Sequence, residues 1–88
     1  MVDQESIKRI KNIEGHMKGI ARMLDQDAYC IDVIKQIQAV QAALAKLNLK
    51  ILDNHLHSCV TEAIQGSDPS ERERVLEEIM DIYKTATR

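Results

Sequence analysis

The chain has no Phe and no Trp, only two Tyr, one Pro and three Gly in 88 residues. Ala, Ile, Leu, Lys, Glu and Gln fill the space those residues leave, which is the composition of an all-helical protein packed with aliphatic side chains. No apolar run approaches the ~18–20 residues of a membrane span, and Met1 opens directly onto polar sequence rather than a signal peptide, so a cytoplasmic location without a membrane partner is expected. There are two cysteines, Cys30 and Cys59. In that compartment they are expected as thiols, ligands or redox sensors rather than as a structural disulfide. A Gly-rich phosphate loop, a serine-nucleophile pattern and a paired-carboxylate pocket are all missing, which argues against an enzyme.

Eighty-eight residues make one small domain at most, expected to span 1–88. At that size a lone chain buries a modest core, and oligomerisation is a common remedy. The net charge of −2 is unevenly spread: residues 1–50 carry eight Lys or Arg against six Asp or Glu, and residues 51–88 carry four against eight. The basic excess therefore belongs to the front half.

A first helix is expected from about Gln4 to Leu24, with Asp3 as N-cap. Ile7, Ile10, Ile13, Met17, Ile20 and Leu24 recur at three- and four-residue intervals and mark an apolar stripe. Lys8, Lys11, Lys18 and Arg22 form a cationic stripe on another side, with Arg9 beside them; a solvated face is its plain reading. Gly15 and Gly19 inside this helix predict close approach of another backbone. Asp27 is expected to N-cap a second helix, which puts Cys30 at its third position, where unpaired N–H groups and the helix dipole favour a thiolate. Nothing stops that helix until Gly66. Cys30, Val33, Ile37, Val40, Leu44, Leu47 and Ile51 alternate at spacings of three and four, a coiled-coil seam. So long a helix, roughly 57 Å, needs a partner molecule. A third helix follows, with Asp68 as N-cap, Pro69 at its first position and Glu71 completing a capping box; Val75, Leu76, Ile79, Met80, Ile82 and Tyr83 form its buried face. Thr85 to Arg88 are expected to fray.

Late in the second helix stand His55 and Cys59, four residues apart and so on nearly one line of the surface. They look like two thirds of a metal site. Cys30 lies 25 residues upstream, roughly 37 Å away along the same helix, too far to share an ion with them in one chain. In an antiparallel dimer Cys30 of one copy would face His55 and Cys59 of the other, and the crossing would fall on the small residues Ala39, Ala42, Ala43 and Ala45. Two thiolates and one imidazole are a soft, low-coordinate set that selects Cu(I), whereas structural Zn(II) wants a fourth ligand. His57 points about 200° away from His55 and is expected to be exposed. The opposed chemistry is thiol oxidation, an intersubunit disulfide or persulfide linking Cys30 and Cys59. A helical interaction module with no role on DNA is a third possibility, from another class.

Four stretches carry a resemblance: Arg9-Ile10-Lys11-Asn12-Ile13-Glu14-Gly15-His16, Asp27-Ala28-Tyr29-Cys30-Ile31-Asp32-Val33, Gln36-Ile37-Gln38-Ala39-Val40 and Asn54-His55-Leu56-His57-Ser58-Cys59. Together they resemble the CsoR/RcnR family of bacterial metal- and thiol-responsive repressors, over nearly the whole chain. The resemblance implies a three-helix protomer with a short first, very long second and short third helix, an antiparallel four-helix-bundle-like dimer, and a disc-shaped dimer of dimers that binds operator DNA without a helix-turn-helix. It further implies Cu(I) ligation by Cys30 of one protomer with His55 and Cys59 of the other, supported by Tyr29 and Glu78, with Glu77 the alternative to Glu78. The nickel/cobalt branch has a histidine in place of Cys59, the formaldehyde branch lacks that cysteine, and the persulfide branch lacks the histidine; these departures favour copper. Arg9 and Lys46 match the family's DNA-contact positions, with Lys8, Lys11, Lys18 and Arg22 as further phosphate contacts. Lys46 stands where a relative has arginine, which removes the bidentate geometry of a guanidinium. The function implied is a copper-responsive repressor whose apo form holds operator DNA.

Overall fold

A computed structural model describes residues 2–86. They are all-helical: α1 (Gln4–Asp25), α2 (Cys30–His55), a π turn (Leu56–Val60), α3 (Thr61–Gln65) and α4 (Pro69–Ala86). His55, Val60 and Thr61 all keep right-handed helical dihedrals. The expected second helix is therefore α2, the π turn and α3 in one run, and the protomer has three helices. Two compact units can be distinguished, one over residues 2–53 and the other starting at Asn54.

The first unit is an antiparallel hairpin of α1 and α2. Asp3 caps α1, its Oδ1 accepting from the Ser6 N–H at 2.8 Å. Ile13 and Ile20 of α1 pack against Val33, Val40 and Leu47 of α2, and Ser6 continues the α1 row, buried. Both rows have a period of seven, the repeat that keeps one line of each helix facing its neighbour. The rest of the two expected apolar stripes does not enter this core. Ile10, Met17 and Leu24 of α1 and Ile37, Leu44 and Ile51 of α2 are each at least 40% exposed. Across the hairpin His16 Nε2 lies 2.7 Å from Gln36 Oε1.

Among the described residues of the chain, a Cβ on Gly15 would meet nothing within 4 Å, and one on Gly19 only the Arg22 guanidinium at 3.7 Å, so no other backbone within the protomer is close to either glycine. One local expectation is corrected here. Asp27 does not N-cap α2. It sits in the left-handed region at φ 55°, and the Ala28 N–H reaches Met23 O while the Asp27 N–H reaches Leu24 O. That pair of bonds is the Schellman closure of α1, with Asp27 in the place usually taken by glycine. The helix then restarts at Tyr29, whose carbonyl accepts from the Asp32 and Val33 N–H groups. Cys30 is accordingly the first residue of α2 rather than the third.

In the second unit Val60, Ala63 and Val75 form the buried cluster, flanked by Leu56 and Ile79. α3 stops at Gly66, which is extended at φ −74° and ψ 172°, so the stop does not use glycine's left-handed freedom. Asp68 caps α4 as expected: its Oδ1 accepts from the Ser70 N–H at 3.0 Å and from the Ser70 hydroxyl at 2.7 Å. These two bonds, the hydroxyl's first, hold the Asp68 carboxyl below its ordinary value. The expected buried face of α4 is only partly covered. Val75 is enclosed, while Leu76, Met80, Ile82 and Tyr83 are exposed. Thr85 and Ala86 are still helical, and Thr87 and Arg88 of the expected frayed end lie outside the described residues.

Candidate metal centre

The second unit brings His55, Cys59 and Glu78 into one neighbourhood. His55 is the last residue of α2, and Cys59 lies within the π turn rather than on a regular α-helical line. A π turn closes with i→i+5 bonds and inserts one residue into the helix, a device frequent at functional sites. Here the Thr61 N–H reaches back to Leu56 O, and the Thr61 hydroxyl donates to the same carbonyl at 2.5 Å. Ser58 Oγ donates to Asn54 O at 2.8 Å and lies 3.8 Å from Cys59 Sγ. Hydroxyls that bond back onto the preceding turn compete with the regular i→i−4 ladder and bend it. Ser58 and Thr61 thus both bond back onto the wide turn, and neither bond was foreseen from the sequence.

His55 Nε2 stands 4.0 Å from Glu78 Oε2, and the histidine side chain keeps 29% of its exposure. Glu77 turns elsewhere, into a groove with Glu73, Leu76, Met80, Asp81 and Lys84. Of the two candidate glutamates, Glu78 is the one beside the imidazole. Arg74 holds it there, bonding Glu78 and Glu71 at once. Those i,i+3 and i,i+4 spacings are legible in the sequence, though sequence reading left Arg74 out. Its hydrogen bond to Glu71 raises the Arg74 guanidinium above its ordinary value and lowers Glu71.

Cys30 and Tyr29 belong to the first unit and are exposed, Tyr29 at 69%. Among the described residues no three His, Cys, Asp or Glu side chains of the chain are gathered as a metal would require. What one chain offers at Asn54–Val60 is an imidazole and a thiol with a carboxylate behind the imidazole.

The cationic residues border more than one groove. Arg9 and Lys46 line a single groove, together with Leu49, Lys50 and Asp53. Lys18 borders a different, mainly apolar groove with Ile10, Ile13, Met17, Ala21 and Leu44. Lys8, Lys11 and Arg22 are exposed on α1. No helix among the described residues is long and apolar enough to cross a membrane.

A family model described as metal-sensitive transcriptional repressor matches residues 3–85. The chain is 41% identical over 80 residues to the copper-sensing transcriptional repressor CsoR of Bacillus subtilis (strain 168), an alignment covering 91% of this chain and 76% of that protein. It spans 64% to 76% of the length of the copper-sensing relatives it matches. Its structure is similar to that of the copper-sensing repressor CsoR with Cu(I) from Geobacillus thermodenitrificans NG80-2, with a TM-score of 0.87 and 34% identity, covering 100% of this chain and 95% of that one. The nickel-responsive transcriptional regulator InrS is also similar, with a TM-score of 0.77 and 30% identity over 94% of this chain and 93% of its own. The shared fold thus carries more than one metal response, and ligand chemistry must tell them apart.

Proposed function

Since the chain belongs to the metal-sensitive transcriptional repressor family, we propose that it is a cytoplasmic Cu(I)-responsive repressor, with residues 1–88 acting as one sensing and DNA-binding domain. In this reading the apo-protein holds operator DNA and the copper-loaded protein lets it go, derepressing copper resistance genes. The observation that carries the reading is the pairing of His55 with Glu78 at 4.0 Å, one helical turn from Cys59. Nε2 faces the carboxylate, which leaves Nδ1 for a metal. A ligating histidine whose second nitrogen is held by a carboxylate is the usual arrangement of a metal site.

The donor set fits the ion. Cys59, His55 and Cys30 of another copy supply two thiolates and one imidazole, soft and few, which suit Cu(I) better than Ni(II) or structural Zn(II). Cys59 and His55, with Cys30 of another copy, would hold the ion, which would supply a positive centre for the thiolates. Glu78, 4.0 Å from Nε2, would orient the ring, and because Arg74 also holds Glu78, a change at His55 would be felt along α4. Tyr29, next to Cys30, is the other candidate to support the site from the partner copy.

Assembly follows from the faces left open. Ile37, Leu44 and Ile51 with Ile10, Met17 and Leu24 make an apolar surface that a small monomer would not leave in water. A second copy laid antiparallel covers it, and the alanines near the middle of α2 permit close approach. Pairs of such dimers form the homotetramer that presents Arg9 and Lys46, with Lys8, Lys11, Lys18 and Arg22 around them, to operator DNA.

An anaerobic Cu(I) titration against a competing chelator, read simultaneously by release of labelled operator DNA, tests this. His55→Ala and Cys59→Ala should each keep apo DNA binding and lose copper-driven release. Loss of apo binding in both would sink the assignment of roles. Because both cysteines are thiols and Cys30 is exposed, the competing persulfide or disulfide response gets its own arm: release by polysulfide with no retention of copper would favour it. Linkage requires that DNA weaken copper binding by the same factor that copper weakens DNA binding.

A further inference from the structure

The groove that contains Arg9 and Lys46 holds a third cation, and that cation is already engaged. Lys46 and Lys50 are one turn apart on α2, and Glu5 and Arg9 are one turn apart on α1, so the hairpin sets the two pairs against each other. Lys50 Nζ lies 3.2 Å from Asp3 Oδ2 and 3.4 Å from Glu5 Oε2. The other oxygen of Glu5, Oε1, accepts from Arg9 at 2.9 Å. One carboxylate therefore bridges Lys50 and Arg9 through its two oxygens, as two non-bridging oxygens of a phosphate would. Asp53 lines the same groove, so its lining holds three cations and one carboxylate, and Asp3 and Glu5, bonded to Lys50 and Arg9, offset that excess. The acids thus lower the pull of the groove on a polyanion.

We propose that Lys50 is a third DNA-phosphate contact beside Arg9 and Lys46, and that Glu5 and Asp3 occupy it, with Arg9, until a phosphate displaces them. The inference rests on the reading that this protein binds DNA.

The exchange is permitted by how the acids are placed. Asp3 caps α1 with Oδ1 and pairs with Lys50 through Oδ2, so Lys50 can leave without uncapping the helix. Glu5 and Arg9 are well exposed, and ion pairs in such a setting contribute little to folding. A duplex presents one negative charge per ~1.7 Å of its axis, a density that a single carboxylate does not match. Lys50 is oriented by its carboxylates, the Asp3 bond first, and they hold its ammonium charged above its ordinary range. The acids thus have two effects: they keep the cation in position and lower the affinity of the groove for DNA.

The test uses the full chain without metal and a fluorescently labelled ~30-base-pair duplex of arbitrary sequence, with binding followed by anisotropy from ~50 to ~300 mM salt. Glu5→Gln should bind several-fold tighter than the wild type. Lys50→Gln should bind several-fold weaker and flatten the slope of log affinity against log salt by about 0.9 for each phosphate it no longer neutralises, and Lys50→Arg should restore the slope. A purely structural Lys50–Glu5 staple predicts the reverse for Glu5→Gln, because loosening the hairpin would weaken binding. Were Lys50→Gln to lose its helical circular dichroism, Glu5→Gln alone would still decide. An unchanged slope in a folded Lys50→Gln, or weaker binding by Glu5→Gln, overturns the inference while leaving the repressor reading in place. Wild-type protein that fails to bind the duplex at ~50 mM salt, where phosphate contacts are strongest, overturns both.

Discussion

The two units of the chain are built to different standards of packing. The hairpin of residues 2–53 closes over Ile13, Ile20, Val33, Val40 and Leu47, five sizeable aliphatic side chains in two seven-residue rows. The unit from Asn54 closes over Val60, Ala63 and Val75, and its helix is interrupted by a π turn. Among the described residues its buried groups are fewer and smaller, so local rearrangement costs less there. The stiffer unit carries the Arg9–Lys46–Lys50 groove, and the softer one carries His55, Cys59 and Glu78. In the proposed function this difference is useful: a surface that must match DNA is held by the better core, and the part that must respond to a small ion is the part that yields.

The most damaging way to break that comparison is in the cores themselves. Leu47, 4% exposed, should cost about 2–4 kcal/mol when changed to Ala, the transfer loss plus the cavity left behind. Val75, 1% exposed, should cost about 1–2 kcal/mol on the same change, since fewer atoms are removed. Urea unfolding followed by circular dichroism measures both. Leu47→Ala is expected to weaken apo DNA binding along with stability. Val75→Ala is expected to keep DNA binding near the wild-type value and to blunt its relief by copper. A Val75→Ala protein that loses DNA binding while Leu47→Ala keeps it would reverse the assignment of stiff and soft units.

A smaller effect is expected at the π turn. Thr61→Val keeps the shape of the side chain and removes the hydroxyl that bonds Leu56 O. The turn that sets the offset between His55 and Cys59 is then less firmly held, and Cu(I) affinity, measured against a competing chelator, should fall about tenfold, the lower end for loss of a group supporting metal ligands. Helix content and apo DNA binding should be unaffected. Unchanged copper affinity would mean that the backbone alone maintains the turn.

The sequence made different parts of this visible to different degrees. Caps were legible where a side chain bonds its own neighbourhood, as Asp3 and Asp68 do. The apolar periodicity located α1 and α2 correctly, yet it could not say which of two interleaved rows, Val33–Val40–Leu47 or Ile37–Leu44–Ile51, the protomer buries for itself. Both rows have the same period, and only the position of α1 separates them. The π turn was hidden because the residues that bond back onto it, Ser58 and Thr61, are individually common helix residues. The Lys50 cluster was hidden for another reason: Asp3 and Glu5 are 47 and 45 positions away from it, and only the hairpin's closure brings them together. Glu78 rather than Glu77 beside His55 was legible only through the family resemblance, since no spacing rule supplies the angle of α4.

The smallest expected effect lies at the loop between α1 and α2, where the structure and the sequence reading differed. As an N-cap of α2, Asp27 would be worth keeping, and Asp27→Gly would cost only a few tenths of a kcal/mol. At the position it actually occupies, φ 55° at the Schellman closure of α1, the β-carbon is a burden that glycine lacks. Glycine also enlarges the freedom of the unfolded chain, which offsets part of the gain. The balance should favour the folded state by about 0.5 kcal/mol, read as a rise in urea midpoint with the slope unchanged. Asp27→Asn, which tolerates the same backbone region, should be close to neutral. Because the change lies in the hairpin and two residues before Tyr29, it also asks whether stability and response are separable. A stabilised Asp27→Gly protein with an ordinary copper response would keep the stiff unit's role to holding the DNA surface. One whose copper response weakens as its stability rises would show that the flexibility of this loop helps Cys30 reach the neighbouring copy.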